Sequence, residues 1–262
     1  MNFNFELILF YAIIVSGIIV LLDNIFWAPK RAKSADKKLP IIVDYARSFF
    51  PILIIVFLLR SFLFEAYRIP SPSLEPTLLV GDFILVNKYD YGFRLPILHK
   101  KIVSMGEPQR GDIVVFRWPP DESINFIKRV VGVPGDHLSY IDKVLYVNGI
   151  KAVQSEEREP AEQIGDKDML NAVQKQEDLL GVTHQIYQIP TRPSEDFRDI
   201  VVPPGNYFMM GDNRDDSADS RFWGYVPEKD LLGKAKWVVL SWNAQGSLLH
   251  KIRWERLGKA VH

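Results

Sequence analysis

The chain contains no cysteine. That absence excludes a disulfide framework, a thiolate nucleophile and a thiolate zinc site, and it fits a reducing or an oxidising compartment equally well. Histidine is sparse. The five, His99, His137, His184, His250 and His262, are scattered, and none forms the HxxxH or HxH pair of a zinc site. Neither sign of charge is in excess: Lys+Arg and Asp+Glu stand at 32 each, so no net field recruits nucleic acid. No internal repeat is evident. What the chain does have is apolar residues, 47% of 262, which is enough for one sizeable core and a second lobe.

Two apolar runs stand near the N-terminus. The first, 5–27, approaches the roughly 20 residues that a bilayer crossing needs. A cleaved signal peptide is the competing reading. Against it, no basic residue precedes the run and no small-x-small site follows; Asp23, Asn24 and Trp27 stand there instead. A retained transmembrane helix is expected, with Trp27 at an interface. Residues 28–47 carry Lys30, Arg31, Lys33, Lys37, Lys38 and Arg47 against only Asp36 and Asp44. A short basic loop between two crossings stays in the cytoplasm. The second crossing is expected over 48–66, with Arg60 near its far end, where it can snorkel to the headgroups. Both termini, and everything from Tyr67 onward, then lie outside, in the periplasm or its equivalent.

From Tyr67 the pattern is mainly β. Phe83–Lys88, Ile113–Trp118, Asn125–Val133, Leu138–Ile141, Val144–Val147, Tyr207–Met210 and Lys236–Trp242 are short β-branched and aromatic runs. Asn148-Gly149 after Val144–Val147 is a hairpin signal. Lys151–Leu180 is polar and acidic, and reads as weak helical stretches and loops. The expected architecture is two transmembrane helices followed by a main β-domain over 67–138 and 203–262, with a smaller inserted lobe over 139–202.

Three places carry possible chemistry. In Tyr67-Arg-Ile-Pro-Ser-Pro-Ser-Leu-Glu-Pro-Thr-Leu78, Pro70 and Pro72 push the residues before them toward extended conformations. Pro76 stops a helix from continuing past Ser73. Ser73 is thus presented stiffly, as a candidate nucleophile or as part of a proline-rich linker leaving the bilayer. A nucleophilic serine needs a group to take its proton. In Asn125-Phe-Ile-Lys-Arg-Val-Val131, alternation puts Lys128 on one strand face between Phe126 and Val130. Burial there would lower its pKa toward that of a general base; an edge-strand lysine has the same pattern. His137 is the rival base, but Asp136 beside it would point the opposite way, so a turn histidine is the plainer reading. The third place is Gly211-Asp-Asn-Arg-Asp-Asp-Ser-Ala-Asp-Ser-Arg221, with four carboxylates and two arginines. It lacks the spacing and glycine of an EF-hand. An ion-paired loop that orients other groups fits it, as does a solvated loop.

Taken together these motifs closely resemble the type I signal peptidases, the membrane-bound Ser/Lys leader peptidases of bacteria. The resemblance rests on two N-terminal crossings, then Ile69-Pro-Ser-Pro-Ser-Leu-Glu-Pro-Thr-Leu78, Arg110-Gly-Asp-Ile-Val-Val-Phe116, Ile127-Lys-Arg-Val-Val-Gly-Val-Pro-Gly-Asp136 and Gly211–Arg221, in that order. The double crossing and the insertion look like the Gram-negative form. The resemblance implies a signal-peptidase-like β-domain and a serine endopeptidase that cuts exported preproteins after a small-x-small sequence. By it, Ser73 matches the nucleophile and Lys128 the general base. Ser71 matches the serine whose hydroxyl completes the oxyanion hole with the Ser73 N–H. Ser217 matches the residue that hydrogen-bonds the lysine, and Asp219 and Arg221 a supporting ion pair. Ile69 and Ile127 match residues lining small-side-chain pockets. It further implies no metal and no cofactor, signal peptides and the lipid bilayer as partners, no nucleic acid, and a multi-pass place in the inner membrane. Two departures stand out: Leu74 where the family usually has Met, a swap close in volume, and Pro72 where Gly is common.

Overall fold

The computed structural model describes residues 5–32, 38–97, 100–156, 172–244, 246 and 251–262. The chain divides into two units, Met1–Phe64 with Phe93–Val103, and Glu65–Gly92 with Ser104–His262.

The first unit holds helices α1 (Phe5–Ala32) and α2 (Ile41–Leu63), each long and apolar enough to cross a membrane. Gly17 lets them approach: a Cβ there would stand 2.9 Å from the Phe50 ring. Both helices depart from the expected bounds of 5–27 and 48–66. α1 runs five residues into the expected basic loop because Arg31, a good helix former, turns back to donate to Asp23 Oδ2 at 2.6 Å. Arg47 of α2 reaches the same oxygen at 3.0 Å. That shared carboxylate draws the second helix back to Ile41, just after Pro40. Phe64 to Ala66, expected as helix, are already extended.

Strand β1 (Phe64–Arg68) leads to β2 (Asp82–Asn87); β3 (Phe93–Arg94) and β4 (Lys101–Val103) form a small ribbon belonging to the first unit. The second unit continues with β5 (Ile113–Trp118), β6 (Asp121–Gly132), β7 (His137–Ile141), β8 (Val144–Val147), β9 (Ile150–Lys151) and β10 (Val153–Glu156). After them come β11 (Val173–Asp178), β12 (Thr183–Gln188), β13 (Phe197–Val201), β14 (Asn206–Met210), the short helix α3 (Ser220–Trp223), β15 (Val226–Pro227) and β16 (Leu231–Ser241). Its main sheet has the order β1-β2-β16-β5-β6-β14-β15. Two smaller sheets, β13-β7-β8-β9 and β10-β11-β12, are built from the region between β6 and β14.

The main sheet is buried on both faces, which is why its strands read as apolar runs rather than alternations. In β5, Ile113 and Val115 enter a cluster with Ile69, Leu74, Leu78, Ile84 and Val238. Val114 and Phe116 enter a second cluster with Val130, Tyr207 and Met209 on the other face. Leu74 and Leu78 are fully buried, and truncating either to Ala would cost about 2–5 kcal/mol. They pin the segment around Ser73 to the sheet. β8 turns into β9 at Asn148 and Gly149, both at positive φ, as that dipeptide promised.

Lys151–Leu180 is a correction. Its described parts are strands, β10 and β11, not weak helix; 157–171 lie outside the described residues. β11 carries little apolar signal because the side chain it buries most deeply is Glu177, matched there to Arg214.

Candidate active site

Ser71 is extended (φ −133°, ψ 157°), and Pro72 then starts a single tight turn, Pro72–Leu74, that presents Ser73. Proline suits that first position because its fixed φ matches the turn and it has no N–H to leave unpaired. Glu75 N closes the turn on Pro72 O at 2.9 Å, and Leu78 N bonds Leu74 O at 3.0 Å.

Lys128 lies on β6 opposite Val114 of β5. It is 4% exposed and Ser73 is 7% exposed. Lys128 Nζ donates to Ser73 Oγ at 2.5 Å. The Phe126 ring, two positions back on the same face, has its centre 5.6 Å from Nζ. Burial pushes the ammonium down to about 8, against the pull of the Asp219 and Asp212 carboxylates. Roughly a tenth of Lys128 is therefore neutral at pH 7, far more than for an ordinary lysine. Ser71 Oγ stands 3.4 Å from Ser73 Oγ.

The loop 211–221 starts where β14 ends, with Met210 paired to Arg129 of β6. It grips the serine segment through its backbone: Asn213 N donates to Ser73 O at 3.2 Å and Asn213 Nδ2 to Pro72 O at 3.3 Å. Gly211 has no room for a side chain, since a Cβ would fall 2.3 Å from Ser217 Oγ and 2.4 Å from Ser73 O. Asp219 accepts from Gly211 N at 3.0 Å and from Arg221 Nε and Nη2, each at 2.8 Å. Arg221 also donates to Arg214 O at 2.5 Å. The expected Asp219–Arg221 pair is thus formed, and it is buried.

The expected bond between Ser217 and Lys128 is not formed. Lys128 directs its hydrogen bond to Ser73, and Ser217 Oγ is buried with no hydrogen-bond partner among the described residues. Ile69 is buried in the cluster under the serine turn, and Ile127, half-buried, packs against that same cluster. His137 lies away from burial, its Nδ1 2.8 Å from Asp199 Oδ1, with both side chains more than half exposed.

Five residues that the sequence did not single out hold the site together. Asp212 is fully buried and accepts from Arg129 Nε at 2.7 Å, Arg129 Nη2 at 2.8 Å and Thr77 Oγ1 at 2.5 Å. One carboxylate thereby ties the serine segment to the residue next to Lys128. Burial alone would raise its pKa, but Arg129, His184 and Thr77 together outweigh burial and hold it below the usual carboxylate range. Arg214 and Glu177 form a second fully buried pair, which fastens β11 to the loop. The density of Asp and Arg in 211–221 was the only sequence signal for either pair.

Residues 42–242 match the family model described as signal peptidase, peptidase S26. The chain belongs to that family. It is 42% identical to a signal peptidase I of Pseudomonas fluorescens, with 98% of this chain and 99% of that protein covered. It is 43% identical to a signal peptidase I of Pseudomonas aeruginosa, covering 92% and 94%. With a signal peptidase I of Aquifex aeolicus the identity is 38%, over 71% of this chain and 79% of the relative. Membership makes the chain a serine endopeptidase, and its two apolar helices fit a membrane-bound one.

Proposed function

We propose that this membrane-bound endopeptidase removes signal peptides through a Ser73/Lys128 dyad. The observation that carries the reading is the buried 2.5 Å contact between Lys128 Nζ and Ser73 Oγ. Neutral Lys128 takes the Ser73 hydroxyl proton as Oγ attacks the carbonyl carbon after a small-x-small sequence. The Ser73 N–H and the Ser71 hydroxyl stabilise the oxyanion. Lys128 then gives its proton to the departing amine, leaving the signal peptide esterified to Ser73. It next takes a proton from water as the water oxygen attacks the ester carbonyl, then returns that proton to Ser73 Oγ as the ester bond breaks and the signal peptide leaves as a carboxylate. No metal or cofactor takes part.

The remaining residues support the dyad. Asp219 and Arg221 hold Gly211 beside Ser73. Ser217, unpartnered now, is the hydroxyl left for Lys128 once Ser73 Oγ carries an acyl group. Ile69 and Ile127 wall pockets that admit small side chains. Exposed Trp237, Val239 and Trp254 on the catalytic unit suit contact with the lipid bilayer. Balanced charge gives nucleic acid no hold. The basic loop between the spans supports an inner-membrane enzyme with its catalytic unit on the periplasmic side. The test is cleavage of a model preprotein: Ser73→Ala and Lys128→Ala abolish it, and retained cleavage by either variant refutes the dyad.

A further inference from the structure

Glu75 is the only ionisable side chain in the serine segment 71–80. It directly follows the turn that presents Ser73, and it is 1% exposed. Its Oε1 accepts from Val80 N at 3.4 Å, bridging the loop between them. Its Oε2 is buried and meets no donor among the described residues. The charged groups that face it are Arg253, Asp216 and Asp82. Asp82 is already paired with Arg256. Arg253 Nη1 donates to Val80 O at 3.1 Å and Ser241 Oγ at 3.2 Å. A carboxylate here would be buried with one long hydrogen bond and no cation bonded to it, a costly state. An uncharged carboxylic acid suits the place.

We propose that Glu75 is a positioning residue: buried directly after the turn that presents Ser73, it braces segment 71–80 on Val80 N and so fixes how Ser73 is presented to Lys128. The proposal rests on the reading of Ser73 as nucleophile. Burial raises the Glu75 acid to about 7, opposed by the Val80 N–H and Arg253 and assisted by Asp216 and Asp82. The ordinary value is 4.5. Between the two the folded chain holds a proton that the unfolded chain has released. Stability due to Glu75 therefore falls as pH rises from 4.5 to about 7, and levels off above.

The test uses the full chain with Glu75→Gln, Glu75→Asp and Glu75→Leu. Each is assayed for kcat and KM on a model preprotein and for denaturant stability from pH 5 to pH 8. Gln has the shape and keeps an acceptor without a charge, so its kcat stays within about threefold of wild type. Asp is too short to reach Val80 and Leu cannot accept, so both lose about tenfold or more in kcat while KM holds. The stability advantage of Gln over wild type grows from pH 5 to pH 7 and is constant above. Equal kcat in all three variants overturns the positioning role, and a Gln variant as slow as Leu overturns the uncharged acid. A stability difference that is flat with pH does the same. If Leu fails to fold, the Gln and Asp pair decides. The stability arm does not depend on Ser73, so a failure of the nucleophile reading shows separately, as an active Ser73→Ala.

Discussion

Thr77 donates to Asp212 at 2.5 Å, and the same carboxylate holds Arg129 by two hydrogen bonds. Thr77 lies four residues after the serine and Arg129 one residue after the lysine. The two catalytic candidates therefore ride on elements fastened to one buried anion. Breaking such a pair by removing one partner leaves an uncompensated charge and costs about 3–5 kcal/mol. Asp212→Ala should destabilise the fold by that order. Asp212→Asn, which keeps the shape, should lose less stability. Chemical denaturation of both variants checks this ordering; equal stability of Asp212→Ala and wild type would show that the pair is dispensable.

Gly211 gives a sharper steric test. A methyl group there collides with the Ser73 carbonyl, which is backbone and cannot rotate aside. Gly211→Ala should lower turnover by about tenfold to a hundredfold by shifting Ser73 relative to Lys128. Steady-state cleavage measures it, with a thermal melt to show that the variant is folded. Wild-type turnover would mean that the loop gives way freely.

The supporting loop divides into two roles. Ser217 Oγ has no hydrogen-bond partner among the described residues, so Ser217→Ala should leave stability within about 0.5 kcal/mol while slowing turnover. Asp219→Ala strands buried Arg221 and should cost both stability and activity. If Ser217→Ala cleaves at the wild-type rate, the lysine needs no second hydroxyl.

Specificity is read from products. Ile127 packs on the cluster under the serine turn, and the proposed function makes it a wall of the pocket for small side chains. Ile127→Ala should admit larger residues before the cut, seen as new N-termini by mass spectrometry of digested preproteins. Unchanged cut sites would place the pocket walls elsewhere.

The sheet was legible because both faces of β5 are buried, so Ile113 to Phe116 form an unbroken apolar run. The Asn148-Gly149 turn was legible because few other residues tolerate that backbone. Alternation correctly set Lys128 on a face with Phe126, but an edge lysine alternates the same way, and only the order of motifs singled it out. Other features depended on partners far along the chain. Glu177 and Arg214 lie 37 positions apart and Thr77 and Asp212 lie 135 apart, distances at which local pattern carries no information. Arg31 read as loop for being charged, although its partner Asp23 keeps it helical. The Ser217 bond was inferred from resemblance, and Lys128 is paired with Ser73 instead.

Protonation of Lys128 sets the pH behaviour. Its folded pKa, lowered to about 8 by burial, lies below the ordinary 10.5. Between those values the unfolded chain binds the extra proton, so stability due to this residue rises with pH across the window and its penalty is full below 8. Lys128→Met should be more stable than wild type at pH 7, with the advantage shrinking toward pH 10. A denaturant titration at the two pH values decides; an advantage that grows with pH would show that burial favours the ammonium.

The most direct measurement is the pH-dependent cleavage rate of one model preprotein by wild type, Lys128→Arg and His137→Ala. Wild-type activity should climb as pH approaches 8 and Lys128 loses its proton. His137, exposed and with its ring against Asp199, should be dispensable, so His137→Ala keeps both the rate and the acid limb. Arginine stays protonated, so Lys128→Arg should be inactive at every pH. An inactive His137→Ala beside an active Lys128→Arg would contradict the Ser73/Lys128 dyad outright.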